Sequence, residues 1–281
     1  MRLISETVSM INIDIVIPVL NQLSFTKMCL DGLLRLKNIG GNIVVVDNGS
    51  TDGTAELLMT LTEVTFIRNT HNRGVAAAWN QGVMAGRAEW VILLNNDVLL
   101  PDGWIDSLIG FAIDKNMDIV SPAIREGEYN YDIVEYSRQF TQKMESVTRQ
   151  GVADGICFAV RREVFNKIGM FDEKFRIGQF EDTDFFRRAL GAGFRLGTTG
   201  RSFIHHFGSI TQKAFGLSCV KQTYEKENRA YFREKWQLTR WKRFWERRWI
   251  KLWDLIWSIN ERIRFGHSLK ERLINGRLRY Y

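Results

Sequence analysis

Four polar clusters break an otherwise apolar pattern, and each carries groups able to act on an anionic or hydroxyl-bearing substrate. The first closes the run Trp90-Val91-Ile92-Leu93-Leu94 with Asn95-Asn96-Asp97. One carboxylate flanked by amides can seat a divalent cation whose remaining positions are completed by phosphate oxygens of a ligand. The same residues also suit a turn or a helix cap. The second cluster, Phe180-Glu181-Asp182-Thr183-Asp184, puts three carboxylates into four residues at a helix start. The positive end of the helix favours them there, and Asp184 can pair with Arg188 at i, i+4. Capping uses one or two of these groups, which leaves another as a candidate general base for a hydroxyl proton. The third, Asp47-Asn48-Gly49-Ser50-Thr51-Asp52-Gly53, is a polar loop that can receive a nucleotide, with Asp52 or Thr51 also serving as helix N-cap. The fourth is His205-His206, two of only four histidines, readable as a metal or phosphate ligand or as structural. Arg73 precedes a helix start, where its guanidinium and the free amides can meet one anion.

These groups act together only if the strands that carry them end at one rim. Ile13 to Val19 is a β-branched run interrupted near its end by Pro18, and it predicts the first strand. A helix over Phe25 to Leu36, stopped by Gly40-Gly41, leads to a second strand at Asn42 to Val46. Helix Thr54 to Leu61, strand Val64 to Ile67 and helix Val75 to Ala85 follow, the last rich in small residues and able to lie close to a ligand or to the sheet. Val91 to Leu94 predicts a strand buried on both faces, Trp104 to Asp114 a helix and Ile119 to Pro122 a further strand. This β-α-β order implies parallel pairing, with ligands collecting at the carboxyl ends of the strands. Glu126 to Gln150 is polar and predicts a variable loop over the site. Asp154 to Val160 predicts a strand, Arg161 to Ile168 a helix, and Phe194 to Gly197 with Arg201 to Phe207 a hairpin or paired strands.

Charge and aromatic residues divide the chain. From Glu225 to Tyr281 there are 16 Lys and Arg against 7 Asp and Glu, although the whole chain of 281 residues carries only +7. Six of the nine tryptophans lie there, at 236, 241, 245, 249, 253 and 257. Residues 1–223 therefore predict a catalytic α/β domain, and 224–281 a basic, Trp-rich helical extension. Cys29, Cys157 and Cys219 are odd in number and widely spaced, which argues against a disulfide framework or a structural zinc site and favours a reducing, cytoplasmic setting. Met1 to Met10 has no apolar leader segment, and no apolar run approaches the ~18 residues needed to cross a bilayer.

Taken together, Ile17-Pro18 with Asn21, Val45-Val46-Asp47-Asn48-Gly49-Ser50-Thr51-Asp52, Asn72-Arg73-Gly74 with Asn80 and Gly82, Leu93-Leu94-Asn95-Asn96-Asp97, Gly169-Met170-Phe171-Asp172-Glu173, Glu181-Asp182 with Asp184 and Arg188, and His206-Phe207-Gly208-Ser209 resemble the family-2 glycosyltransferases. The subgroup they look like is the rhamnosyltransferase-like one. The resemblance runs in order from about Ile13 to Thr211. It implies a GT-A (Rossmann-like), mostly parallel sheet, a UDP- or dTDP-linked sugar donor, a manganese or magnesium ion, and transfer with inversion. By position, Pro18, Asn21, Asp47, Asn48, Ser50, Arg73, Gly74, Asn80, Asn95, Asn96 and Asp97 are expected around the nucleotide sugar. Asp97 and His206 are expected at the metal, Asp182 as catalytic base, and Glu181 and Gly155 at a glycan or lipid-linked acceptor. Asn95 stands where the family's Asp-x-Asp motif has its first carboxylate.

Other classes fit less well. No Gly-x-Gly-x-x-Gly follows the first strand, as a dinucleotide oxidoreductase would require, and no Walker A loop is present. Val19-Leu20-Asn21-Gln22 replaces the glycine-rich loop of a nucleotidyltransferase. The alternative is a sugar-nucleotide-binding or nucleic-acid-binding protein on a degenerate scaffold. Tryptophans recurring every fourth residue on a helix argue against nucleic acid, whose single strands usually stack on sheets or grooves. The tail suits a peripheral seat on an anionic inner membrane surface, or packing on the catalytic domain or a second subunit.

Overall fold

The computed structural model describes residues 12–35, 40–208 and 219–281; Met1 to Met10, Leu36 and Ser209 lie outside them. Its first half alternates strand and helix: β1 (Ile13–Val19), α1 (Leu23–Leu34), β2 (Ile43–Asp47), α2 (Thr54–Met59), β3 (Val64–Arg68), α3 (Val75–Ala85) and β4 (Trp90–Leu94). The strands lie in the order β3-β2-β1-β4, all parallel, as the β-α-β succession requires. Alternation along β1 sorts the core into two layers. Ile13, Ile15, Ile17 and Val19 pack with α1 and with α4 (Trp104–Asp114), whereas Val16 faces α3 on the other side. The small residues of α3 serve the sheet, because a Cβ on Gly82 would overlap the Val16 side chain.

The second half adds β5 (Val98–Leu99), β6 (Ile119–Gly127), α5 (Ile133–Met144), β7 (Thr148–Gln150), β8 (Cys157–Arg161), α6 (Arg162–Ile168), α7 (Glu181–Gly191) and β9 (Leu196–His206). β8 pairs antiparallel with β4 and β6, which extends the sheet to a mixed one flanked by helices, the expected α/β class.

Two expectations are corrected. Glu126 to Gln150 is not a loop but contains the end of β6, helix α5 and strand β7. Asp132 caps α5 by accepting the Val134 and Glu135 amides at 2.8 and 3.2 Å, and the helix buries Ser137, Phe140 and Met144, three and four residues apart. Its outer face is so polar that the narrow inward stripe is lost in the average. Residues 194–207 form no hairpin either. β9 is one strand, parallel to β6, whose register shifts between Pro122 and Ala123. Gly200 imitates a turn residue but lets β9 pass the end of α5, where a Cβ would overlap the Met144 carbonyl.

The tail holds α8 (Cys219–Lys235) and α9 (Arg240–Phe265), followed by a hairpin, β10 (Lys270–Ile274) and β11 (Arg277–Tyr280), that the sequence reading did not contain. Asn275-Gly276, with φ of 49° and 67°, makes its two-residue turn. β10 joins the sheet parallel to β6. Two buried ion pairs fasten it: Arg125 with Glu271 at 2.8 Å, and Arg149 with Glu261 of α9 at 2.8 Å.

Candidate active site

The carboxyl ends of β1, β2 and β4 meet at one rim, and hydrogen bonds stitch their loops together. Asn21, at φ 55°, donates its amide to Ser50 Oγ at 2.7 Å and accepts the Thr51 amide at 2.7 Å. Pro18 lies half-buried one residue before the end of β1. Asp47 is fully buried; Oδ1 accepts the Ser50 amide at 2.9 Å, and Oδ2 lies 3.7 Å from Arg68 Nε with no hydrogen-bond donor among the described residues. A buried carboxylate oxygen in that state suits an N–H group of a ligand. Asn48 donates to the Gly74 carbonyl at 3.1 Å and accepts from Asn69 at 2.8 Å, so the β2 loop is joined to the start of α3.

Two of the nominated amides point elsewhere. Asn96 donates to Thr26 Oγ1 of α1 at 2.8 Å. Asn80 spends both ends of its amide on the 171–173 segment, donating to the Phe171 carbonyl and Glu173 at 3.0 and 2.9 Å and accepting the Phe171 amide at 2.9 Å. Arg73 lies 3.8 Å from Glu173, both half in solvent.

Asp97 and His206 come together because β5 and β9 pair antiparallel, with Val98 opposite His206. His206 Nε2 is 3.3 Å from Asp97 Oδ1, and Nδ1 is 3.7 Å from Glu126. Asn95 leaves β4 with its amide on the Ile156 carbonyl at 2.9 Å. His205 points away, its Nδ1 2.9 Å from the Tyr131 hydroxyl, and burial pushes it down to about 4. Among the described residues no three His, Cys, Asp or Glu side chains converge. One carboxylate and one imidazole side by side are a donor set that fits a cation completed by water and phosphate oxygens, but not a closed protein cage.

The three carboxylates of α7 have three different fates. Asp184 is buried and saturated, taking Arg188 Nε at 2.9 Å, Lys235 Nζ at 2.9 Å and Trp236 Nε1 at 3.0 Å, so the expected i, i+4 pair is part of a larger knot. Glu181 is buried with Oε2 unpartnered, and burial, reinforced by Asp182, pushes its carboxyl up to about 8. Asp182 is half-buried, its Oδ1 accepting the Thr183 amide at 2.6 Å. Burial raises it above the usual aspartate value, against the lowering effect of that amide. Gly155 lies against it, where a Cβ would overlap the carboxylate.

Sequence reasoning missed two members of this neighbourhood. Asp154, next to Gly155, accepts Lys270 Nζ of β10 at 2.7 Å, and its charge is felt by Asp182. Only the fold brings the lysine there, from 116 residues downstream.

Residues 14–169 match the family described as glycosyl transferase family 2, more than half of the chain. The chain belongs to that family. Among curated relatives it is 29% identical over 196 residues to the pre-mycofactocin glycosyltransferase of Mycobacterium tuberculosis, covering 66% of this chain and 40% of that protein. It is 25% identical over 198 residues to the dTDP-rhamnosyl transferase RfbF of Shigella flexneri, covering 66% and 67%. The chain thus spans about two fifths of the first relative and two thirds of the second. Among solved structures, GalNAc-T7 with UDP, GalNAc and Mn2+ superposes with a TM-score of 0.57 at 17% identity, covering 70% of this chain and 44% of that one. That likeness places the fold in the GT-A class.

Proposed function

We propose that this glycosyl transferase family 2 chain moves a hexose or deoxyhexose from a UDP- or dTDP-linked donor to a hydroxyl of a glycan or lipid-linked acceptor, with inversion and with Asp182 as general base. The observation that carries the reading is the division of labour between neighbouring carboxyls. Glu181, buried and pushed up to about 8, keeps its proton at neutral pH, whereas the half-buried Asp182, although raised, accepts the Thr183 amide, which favours its ionised form. A raised aspartate is a stronger base than an ordinary one. Neutral Glu181 can donate its carboxyl proton in a hydrogen bond to the acceptor, and Gly155 leaves room for the Asp182 carboxylate itself. Single displacement needs one base opposite the leaving group and no protein nucleophile.

On the donor side, Asp47 takes the base N–H and the Asn21, Asn48, Ser50 and Gly74 loops enclose the nucleoside. Arg73 and the Asn95 side chain are assigned to the diphosphate. Asp97 and His206 would hold manganese or magnesium, which when bound offsets negative charge on the departing diphosphate. Asn80 supports the site by pinning the 171–173 segment. The deciding experiment offers a panel of nucleotide sugars and scores divalent-dependent hydrolysis and thermal stabilisation. A single preferred UDP or dTDP sugar is expected, and no response to any donor would overturn the reading.

We further place the protein on the inner face of the cell membrane, through α9. No described helix is long and apolar enough to cross a bilayer. α9 instead leaves Trp241, Ile250 and Ile263 69%, 61% and 79% exposed, and every residue from Arg247 to Trp253 is open to solvent. Trp241, Trp245, Leu252, Ile256, Ile259 and Ile263 recur at helical spacing on the side opposite the buried Ser258 and Glu261. Eight Lys and Arg stand against three acids, two of which are spent inward, Glu246 on Arg187 and Glu261 on Arg149. Pairing α9 with a second copy would oppose that excess charge to itself, whereas anionic lipid complements it. The full chain is expected to sediment with phosphatidylglycerol vesicles and release in high salt; dimerisation without lipid binding would overturn this part.

A further inference from the structure

The segment that delivers Asp182 is held in an unfavourable backbone shape. Ile177, Gln179 and Phe180 have φ of 62°, 78° and 76°, a region that side chains, and β-branched ones above all, avoid. Such conformations persist only when the surroundings over-determine them, and they gather at functional sites. Here the surroundings are two helices. From the donor side, the first amide of α3, Val75 N, donates to the Ile177 carbonyl at 2.9 Å, beside Gly74, whose Cβ would come within 3.0 Å of Ile177 N. From the tail, Asn228 of α8, buried, accepts the Arg176 amide at 2.9 Å through Oδ1. Its Nδ2 donates to the carbonyls of Arg176, Gly178 and Gln179 at 2.9, 2.8 and 3.3 Å. One side chain thus gathers four backbone groups of three residues, Arg176, Gly178 and Gln179, just ahead of Phe180 and Glu181. Neighbours on α8 extend the grip. Tyr231 and Lys235 hold Asp172 at 2.7 and 2.6 Å, and Lys235 and Trp236 hold Asp184.

We propose that Asn228 is the positioning residue of the base. It keeps the strained 176–180 segment, and through it the start of α7, in the shape that aims Asp182 at the acceptor. The inference rests on Asp182 being the base, but not on the identity of donor or acceptor. An apolar residue of similar size would fill the same space and leave three carbonyls and one amide without their partner, so the effect belongs to hydrogen bonding and not to volume.

The test is a double-mutant cycle with Asp182→Asn, on the full chain. Asn228→Ala is expected to lower kcat by roughly 10- to 100-fold, since small misplacement of a catalytic group is costly, with KM for the donor unchanged. In the Asp182→Asn background the same change should cost almost nothing further, because a residue acting only through the base has nothing left to position. Asn228→Ser, which retains one donor, should fall between Ala and Asn, and it carries the cycle if the alanine variant does not fold. Trypsin reads the loop directly, because Arg176 is exposed and cleavage after it should accelerate in both Asn228 variants. Equal losses in both backgrounds, a parallel rise in donor KM, or unchanged cleavage would each overturn the proposal. Failure of the base assignment looks different: Asp182→Asn itself would then keep its transfer rate.

Discussion

Helices α8 and α9 follow one another, share the basic composition of the tail, and are used in opposite ways. α8 sinks Tyr224, Asn228 and Phe232 into the catalytic body and spends polar atoms on its backbone. The buried residues of α9 are Ser258 and Glu261, and it turns tryptophan and isoleucine outward. Similar composition therefore says little about role; what separates the two is whether polar groups find buried partners. α8 is joined to the 176–179 segment and to Asp184, whereas α9 is a surface helix fastened by Glu246 on Arg187 and Glu261 on Arg149.

The sharpest way to break this contrast is at Asp182, the base proposed beside the segment that α8 holds. Asp182→Asn should keep nucleotide diphosphate binding and lose transfer by ~10²- to 10⁴-fold, the range for removing a general base; steady-state kinetics beside calorimetry would show both. Next comes the fastening of α9. Glu261→Ala strands the buried Arg149 and should cost about 3–5 kcal/mol in a denaturant melt, far more than any substitution on the outer face of the same helix. Gly155→Ala forces the Asp182 carboxylate aside and should reduce kcat by on the order of 10²-fold with little change in Tm.

A smaller effect concerns pH. Glu181 rises from an ordinary 4.5 to about 8 on folding, so between those values the native state holds a proton that the unfolded chain has released. Stability should therefore fall as pH rises from about 4.5 to 8 and level off above. Glu181→Gln should remove that slope in melts taken across the window. Smallest of all in stability is Trp241→Ser with Trp245→Ser on α9, expected within ~0.5 kcal/mol of the parent yet deficient in vesicle sedimentation. A large loss of Tm instead would put these side chains in a packed interface and erase the distinction between the helices.

The parallel half of the fold was legible because each strand from β1 to β4 is a short, largely apolar run between polar or glycine-containing turns, and β1, β2 and β4 are buried on both faces. α5 was hidden by its polar outer face, and β9 by glycines that serve close approach instead of turning. The β10–β11 hairpin had a readable signal in Asn275-Gly276, masked by the helical pattern before it. In the site, Asp97 could be nominated by residue type and its place after a strand, whereas Asp182 and His206 were singled out from their neighbours only by the family resemblance. Gly155 against Asp182, Lys270 on Asp154 and Asn228 on the 176–180 segment are long-range contacts, and nothing local announces them. Asn80 and Asn96 show the converse: amides in suggestive motifs whose hydrogen bonds are taken up by neighbouring protein.

The pairing of β5 with β9 also settles a choice that the sequence leaves open between two adjacent, chemically identical residues. Successive side chains of a strand leave opposite faces, so the alignment of Val98 with His206 sends one imidazole to Asp97 and the other to Tyr131. Which histidine faces Asp97 is thus a matter of parity, not of composition. Adding one residue within Ser202 to Ile204 would leave both histidines in the chain and move His205 into the place of His206, putting a ring made for a dry aromatic pocket beside the carboxylate. Insertions elsewhere on the surface are tolerated by loops; here a single backbone unit decides which ring lies beside the Asp97 carboxylate.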